Sequence, residues 1–226
     1  FLFLTVIYEK EKERCICIRI EDFQLLCYNT KRGVAINAFQ VRHPEHGSEI
    51  LSENMGIKYL TGSDLNLKFD DNTFDCITAC QCYFYFNHDI FAEKASRWLN
   101  PNGKLGMFYM GWLPEEDRIA QMSENLIRKY NPDWSGYGDY RHKIKLPEIY
   151  DDYFKTECSE IFDVRVPFTR ESWNGRIKAC RGIGASLSKN LIKEFENEHM
   201  EMLRKNAEEK FSVLHYCAVL SLKNRK

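Results

Sequence analysis

Residues 57–110 decide the fold, and they read IKYLTGSDLNLKFDDNTFDCITACQCYFYFNHDIFAEKASRWLNPNGKLGMFYM. Short apolar runs at 57–61, 74–80 and 104–110 predict three strands. Residues 88–99 carry apolar side chains at helical spacing, and the NPNG segment that follows predicts the end of that helix. Strands that alternate with helices pair in parallel, so this stretch predicts an open α/β sheet.

A ligand site is expected at one edge of this sheet. In open α/β sheets, ligands bind in the crevice beyond the carboxyl ends of the strands. The loops that follow Thr61 and Cys80 are therefore the first candidates for a binding site.

The charges of the chain are nearly balanced, with 32 basic and 33 acidic residues among 226. This balance gives no reason to expect binding to nucleic acid or to an anionic membrane.

Most of the nine cysteines lie inside apolar runs, where a reduced thiol behaves as a small apolar group, and this predicts a cytoplasmic protein. The pairs Cys15/Cys17 and Cys80/Cys82 are too closely spaced for a typical zinc site, so no metal is expected.

Outside the central stretch, the sequence predicts a hairpin at the start of the chain and mixed helices and strands towards its end. Strands are expected at 1–8, 14–20, 161–168 and 211–222. Helices are expected at 33–39, 50–54, 113–130, 170–181 and from Ser188 onward, with Thr169 and Ser188 as caps. The long loop at 131–143 is rich in glycine, aromatic and charged residues, which is typical of binding loops, although it could also be a surface loop with packed aromatics.

Four segments, taken together, resemble a known family. They are TGSDLNLKFDDNTFD at 61–75, ITACQCYFYF at 77–86, NPNGKLGMFYM at 100–110 and VPFTRESWNGRIKAC at 166–180. In their order along the chain and in their residues, these segments are similar to class I S-adenosylmethionine-dependent methyltransferases that act on small molecules. This group is methyltransferase type 11, which includes the ubiquinone and trans-aconitate methyltransferases. The resemblance implies one Rossmann-like α/β domain over 1–226, incomplete at its N-terminal strands, with a divergent part at 1–56 and a helical cap at 113–200.

The resemblance also implies S-adenosylmethionine as the cofactor. Ser63 and Asp64 would approach the adenine, Leu65 would pack on its face, and Cys80 and Gln81 would border the methionine part. Asp75, at the start of its strand, is interpreted as structural. The full set of implied cofactor residues is Gly33, Gly62, Ser63, Asp64, Leu65, Cys80 and Gln81.

An acceptor pocket is expected from aromatic and basic residues after the last strand of the stretch, in the long loop and in the cap. They are Tyr109, Trp112, Trp134, Tyr137, Arg141, His142 and Trp173, although each could instead pack in the core or at the surface. Arg141 and His142 would suit an anionic acceptor such as a carboxylate. No catalytic residue is predicted, because displacement at a sulfonium depends mainly on positioning, and a base is needed only for an acceptor that carries a proton. His215 is interpreted as a core histidine.

A second hypothesis comes from the region upstream of residue 57. The family's glycine-rich turn is represented only by LCYNTKRGVAI at 26–36, which retains one glycine, Gly33. Only 23 residues separate Gly33 from Ile57, whereas a βαβ unit takes roughly 30. The chain, which begins with Phe1, could therefore be a truncated or catalytically impaired relative that serves as an interaction or scaffold module. Residues 1–56 could equally reflect a gene-model error or a genuinely divergent structure, and dinucleotide binding is disfavoured because no phosphate-binding glycine loop is present.

Overall fold

A computed structural model of the chain describes residues 4–10, 13–19, 57–60, 65, 67–136 and 141–226, the first three ranges as backbone alone. The strands are β1 (Leu4–Lys10), β2 (Glu13–Arg19), β3 (Ile57–Leu60), β4 (Phe74–Cys80), β5 (Leu99–Trp112), β6 (Phe154–Thr169) and β7 (Lys210–Asn224). The helices are α1 (His88–Trp98), α2 (Arg118–Tyr130), α3 (Ile149–Tyr153), α4 (Arg170–Lys178) and α5 (Lys189–Asn206). A 3-10 turn spans Tyr83–Tyr85.

The strands form one seven-stranded sheet in the order β3-β1-β2-β4-β5-β7-β6. Strands β2, β4 and β5 are parallel neighbours, and α1 makes the crossover from β4 to β5. This βαβ unit confirms the α/β, Rossmann-like sheet predicted from residues 57–110. The parallel direction places the carboxyl ends of β4 and β5 at the same edge of the sheet.

The predicted amino-terminal hairpin is also present. Strands β1 and β2 pair antiparallel with Val6 opposite Cys17, and β1 pairs antiparallel with β3 on its other side. β2 then joins the parallel part of the sheet, with Ile16 opposite Ile77. The predicted helices at 33–39 and 50–54 lie outside the described residues.

Strand β4 has the predicted bounds, but β5 begins earlier than predicted. The sequence placed its start at Lys104, whereas Leu99 already pairs with Phe74. The register shifts between Phe74 and Cys76, so the NPNG segment is accommodated as an irregularity within the strand. Asn102 there adopts a left-handed φ of 64°. The side-chain amide of Asn100 donates to Asp75 Oδ1 at 2.7 Å, which supports the structural role predicted for Asp75.

The capping predictions towards the end of the chain are confirmed, although some boundaries differ. Thr169 caps α4 in a reciprocal capping box with Ser172, and α4 ends at Lys178, three residues before the predicted end. Ser188 caps α5, as predicted. On α5, Ile192 is buried, whereas the neighbouring Leu191 is exposed.

Strands β6 and β7 are longer than predicted, since they begin at Phe154 and Lys210 rather than at Ile161 and Phe211. The extra length of β6 and β7 comes from pairing with neighbouring strands of the sheet, and a local sequence pattern does not reveal such pairing.

The chain divides into two compact units. The first unit comprises residues 1–109, 143–160 and 218–226, and the second comprises 110–142 and 161–217. In the first unit, α1 buries one face, and the largest fully buried side chains among the described residues are Phe74, Phe91, Phe154, Ile77, Leu99 and Leu105. The second unit has its own core, which includes Trp112, Ile127, Trp173, Phe195 and Val213. The cap boundaries at 113–200 stay a prediction.

Asp117 fixes the start of α2 in the second unit. Helix α2 was expected to begin near Leu113, but it begins at Arg118 because the Asp117 carboxylate caps it. Oδ1 accepts hydrogen bonds from the backbone N–H groups of Ile119 and Ala120 at 3.0 and 3.1 Å. Oδ2 accepts from the N–H of Leu214 in β7 at 2.9 Å. A single buried carboxylate thus joins α2 to β7.

His199 lies at the centre of a second set of hydrogen-bonded side chains in the core of this unit. Its Nδ1 lies 2.7 Å from Asn174 Oδ1 and its Nε2 lies 2.9 Å from Ser123 Oγ. The indole N–H of Trp173 also donates to Ser123 Oγ, at 2.9 Å. Burial lowers the pKa of His199 to about 4, so the imidazole is neutral at neutral pH.

We expect Asp117→Ala to lower the free energy of unfolding by about 3 kcal/mol, because it removes a helix cap and leaves buried N–H groups without an acceptor. Asp117→Asn keeps an oxygen for the helix cap and should cost roughly half as much. Urea unfolding of the two variants and the wild type measures both effects. Equal losses for Ala and Asn would contradict a capping role for the carboxylate.

We also expect stability to fall as the pH is lowered from 6.5, the ordinary pKa of histidine, to about 4. In this window the unfolded chain takes up a proton at position 199 that the folded chain does not, so protonation favours unfolding. One such proton changes the free energy of unfolding by about 1.4 kcal/mol per pH unit. Urea unfolding across this pH range should therefore give a shallower slope for His199→Gln than for the wild type, and identical slopes would show that the folded chain protonates His199 normally.

Candidate functional site

The predicted cofactor residues belong to the first unit, and all of them except Gly33 follow β3 in the sequence. Gly33, Gly62, Ser63 and Asp64 lie outside the described residues. Leu65 is described, and 47% of its surface is exposed.

The loop that carries Leu65 is fixed against α1. The ammonium group of Lys94 donates to the backbone oxygen of Leu65 at 2.6 Å. A few residues on, the ring of Phe69 packs edge-on against Phe74 and Trp98, with centroids 5.0 and 5.1 Å away. These contacts hold an apolar, exposed side chain after the end of β3.

The chain leaves β4 through a strained residue. Gln81 follows Cys80, the last residue of the strand, and has a left-handed φ of 59°. Its N–H donates to the backbone oxygen of Phe108 in β5 at 2.8 Å. A left-handed conformation costs a non-glycine residue about 1 kcal/mol or more, and such strain clusters at ligand sites. The strain therefore lies where an open α/β sheet binds ligands.

Exposed aromatic rings follow directly. Phe84 and Tyr85 in the 3-10 turn are 45% and 47% exposed. Phe84 packs edge-on against Tyr109 of β5, with centroids 5.8 Å apart. Tyr109, one of the predicted acceptor residues, is itself buried. The structure thus places Gln81, Phe84 and Tyr109 at the neighbouring ends of two parallel strands.

The three tryptophans predicted to line the acceptor pocket lie together in the second unit. The indole N–H groups of Trp112 and Trp134 both donate to the buried carboxylate of Glu124, at 3.2 and 2.7 Å. Trp112 also packs edge-on against Trp173 at 5.8 Å. All three rings belong to the core of this unit, and each indole nitrogen is hydrogen-bonded within it.

Arg141 is held by two carboxylates. It forms paired hydrogen bonds with Glu116 and with Asp163, so four of its five N–H donors are engaged. These bonds hold the pKa values of both Glu116 and Asp163 below their ordinary values. The ring of His142 lies 6.1 Å from that of Tyr216. Tyr137 lies outside the described residues.

The sequence did not single out Arg176, whose side chain is buried in the second unit. Its guanidinium carbon lies 4.8 Å from the centre of the Trp112 ring. Arg176 follows Trp173 by three residues on α4, so helical periodicity would have placed it on the same buried face.

His215 is also fully buried, as the sequence predicted. Its Nδ1 lies 2.9 Å from the backbone oxygen of Val213, and its ring stacks on Phe168 with centroids 5.9 Å apart. Burial lowers its pKa to about 4, and the nearby charge of Arg176 acts in the same direction. Within the part of the chain that the structure describes, Nε2 of His215 has no hydrogen-bond partner.

The described residues offer neither a metal site nor a membrane span. Among the side chains that the structure describes, no group of three or more His, Cys, Asp or Glu residues could hold a metal ion. None of the described helices has the length and apolar character needed to cross a bilayer.

Several solved structures are similar to this chain at low identity. A candidate methyltransferase from Bacillus halodurans C-125 is 16% identical, with 74% of this chain and 76% of that one covered and a TM-score of 0.36. The YcgJ protein of Bacillus subtilis is 15% identical, with 80% and 78% covered and a TM-score of 0.38. A Haemonchus contortus phosphoethanolamine N-methyltransferase, solved with phosphomonomethylethanolamine and S-adenosylhomocysteine, is 17% identical, with 73% and 36% covered and a TM-score of 0.32. These likenesses are too distant to assign an activity.

One protein family matches part of the sequence, whereas no curated protein matches it significantly. The family model, described as a methyltransferase domain, matches residues 29–107, about a third of the chain. The matched segment includes α1 and all of the predicted cofactor residues. Over residues 29–107 the chain is therefore similar to the methyltransferase-domain family, in agreement with the resemblance to S-adenosylmethionine-dependent methyltransferases that the sequence predicted.

Proposed function

We propose that the chain is an S-adenosylmethionine-dependent methyltransferase that acts on a small molecule. The observation that carries this proposal is the strained backbone of Gln81 at the carboxyl end of β4, inside the segment that matches the methyltransferase family. Backbone strain of this kind persists only where the surrounding structure imposes it. At Gln81 the strained backbone turns the chain away from the sheet, at the edge where open α/β sheets bind ligands.

The described residues near this strand end suit the cofactor. Leu65 offers an exposed apolar surface for the adenine, and Phe84 offers an exposed ring beside Tyr109. Flat apolar contacts of this kind, with a few polar groups to set orientation, are typical of nucleoside sites. We assign Gly33, Gly62, Ser63 and Asp64 to the same site from their sequence positions.

When bound, the cofactor supplies an activated methyl group on a sulfonium. The protein then holds the acceptor's nucleophilic atom in line with this methyl group and excludes water. Such positioning can supply much of the rate enhancement. We assign the acceptor-binding groups mainly to the second unit and retain 113–200 as the cap. We retain the cytoplasmic location expected from the sequence, because most of the cysteines lie inside apolar runs.

Calorimetry with S-adenosylmethionine and S-adenosylhomocysteine on the purified chain tests the proposal. We expect a measurable heat and a raised melting temperature with both ligands. No heat and no thermal shift at millimolar ligand would overturn the proposed function.

The strained residue can be tested separately. A β-branched side chain fits poorly at positive φ, so we expect Gln81→Val to weaken S-adenosylhomocysteine binding by about tenfold or more, roughly 1.4 kcal/mol. Asn102→Val is the matched control, because Asn102 has a φ of 64° but lies near the opposite end of the neighbouring strand. Both variants should melt at lower temperature, and only Gln81→Val should lose affinity. Equal affinity losses in the two variants would argue against a site at Gln81.

A further inference from the structure

Strand β6 lies at the end of the sheet, with β7 as its neighbour on one side. Among the strands that the structure describes, none pairs with the other side of β6. Such a strand presents backbone N–H and C=O groups that form a template for a further strand. We refer to residues 161–169, the part of β6 that belongs to the second unit, as the β6 edge; they read IFDVRVPFT.

Alternate residues of the β6 edge turn their backbone groups away from β7. Pro167 has no N–H, so it is tolerated in a strand where the N–H position faces outward. The N–H of Arg170, three residues further on, donates to the backbone oxygen of Glu209, just before β7, at 3.3 Å. Because the direction of these groups alternates along a strand, both observations indicate that the backbone groups of Asp163 and Arg165 point outward.

The side chains of the β6 edge alternate between charged and apolar. Asp163 and Arg165 lie on one face of the strand and are exposed. Phe162, Val164 and Val166 lie on the other face, and Phe162 is 49% exposed. The run is therefore symmetric in polarity about Val164, whereas the two charges on either side of Val164 have opposite signs.

This pattern makes the β6 edge complementary to itself. Charges on an edge strand commonly prevent pairing between copies. Here, however, an antiparallel copy centred on Val164 brings Asp163 opposite Arg165 on both sides of the centre. In that register the outward backbone groups of these two residues exchange hydrogen bonds, and Phe162 lies opposite Val166. Registers centred on Asp163 or on Arg165 would instead bring like charges together.

The contacts that the two charges make within the chain are compatible with this register. Asp163 is bonded to Arg141, but Arg141 also binds Glu116, so the three side chains together carry a net negative charge. A carboxylate oxygen can accept more than one hydrogen bond. Arg165 lies 3.5 Å from Asp117, and 60% of its side chain is exposed.

We propose that the β6 edge is a homodimer interface, at which a second copy of the chain adds its own β6 edge in antiparallel register about Val164. The sheets of the two copies then become continuous. Because the contact comprises one short segment of each chain, the dimer is weak and depends on concentration. Its ion pairs are exposed, so it also weakens as the ionic strength rises.

Sedimentation velocity of the full chain tests the interface. We expect the wild type to pass from monomer to dimer in the micromolar range. Asp163→Arg and Arg165→Asp should each stay monomeric, because like charges then face each other. An equimolar mixture of the two variants should form a heterodimer, since every facing pair again joins opposite charges.

The matched controls are Glu201→Arg and Arg204→Asp, which reverse exposed charges on α5 in the same unit and should dimerise like the wild type. A wild type that stays monomeric up to its solubility limit would overturn the proposal. A dimer that persists in Asp163→Arg and Arg165→Asp would also overturn it, because the two copies would then meet elsewhere.

Amide hydrogen exchange gives a result that needs no variant. In the wild type, the N–H groups of Asp163 and Arg165 should exchange more slowly in the dimer than in the dilute monomer, because each then donates to the second copy. Exchange at these two positions that does not change on dimerisation would overturn the proposal even if every variant failed to fold.

Discussion

The second unit depends on where α2 begins, and the carboxylate of Asp117 determines that point. It accepts hydrogen bonds from two N–H groups of the first helical turn and from one N–H group of β7. The start of a helix sets the phase of every later residue, so this one cap decides that Ser123, Glu124 and Ile127 face the core. The polar groups that bind the indole nitrogens are buried for the same reason.

Local signals in the sequence predicted local structure well. The caps at Thr169 and Ser188 were predictable because a cap bonds to its own helix within three residues, and β4 was predictable because it is a short apolar run that follows a polar segment. The start of β5 at Leu99 was not predictable, because it depends on pairing with Phe74 and on a shift of register. Hydrogen bonds between distant strands leave no local pattern in a sequence.

The candidate sites, too, were predictable from the sequence only in part. The carboxyl end of β4 could be located from topology, since alternating strands and helices imply parallel pairing, but the strain at Gln81 could not. The alternation of charged and apolar residues in the β6 edge is visible in the sequence, whereas the place of β6 at the end of the sheet depends on pairing between distant strands.

The distribution of tryptophan also has a practical consequence. The chain has four tryptophans, and only Trp98 belongs to the first unit. The other three are buried in the second unit, where their indole nitrogens bond to Glu124 and Ser123 and where a guanidinium covers one ring. Intrinsic fluorescence therefore reports mainly on the second unit. The chain therefore carries a built-in optical probe of the second unit, and a Trp98→Phe variant would leave only the emission of that unit.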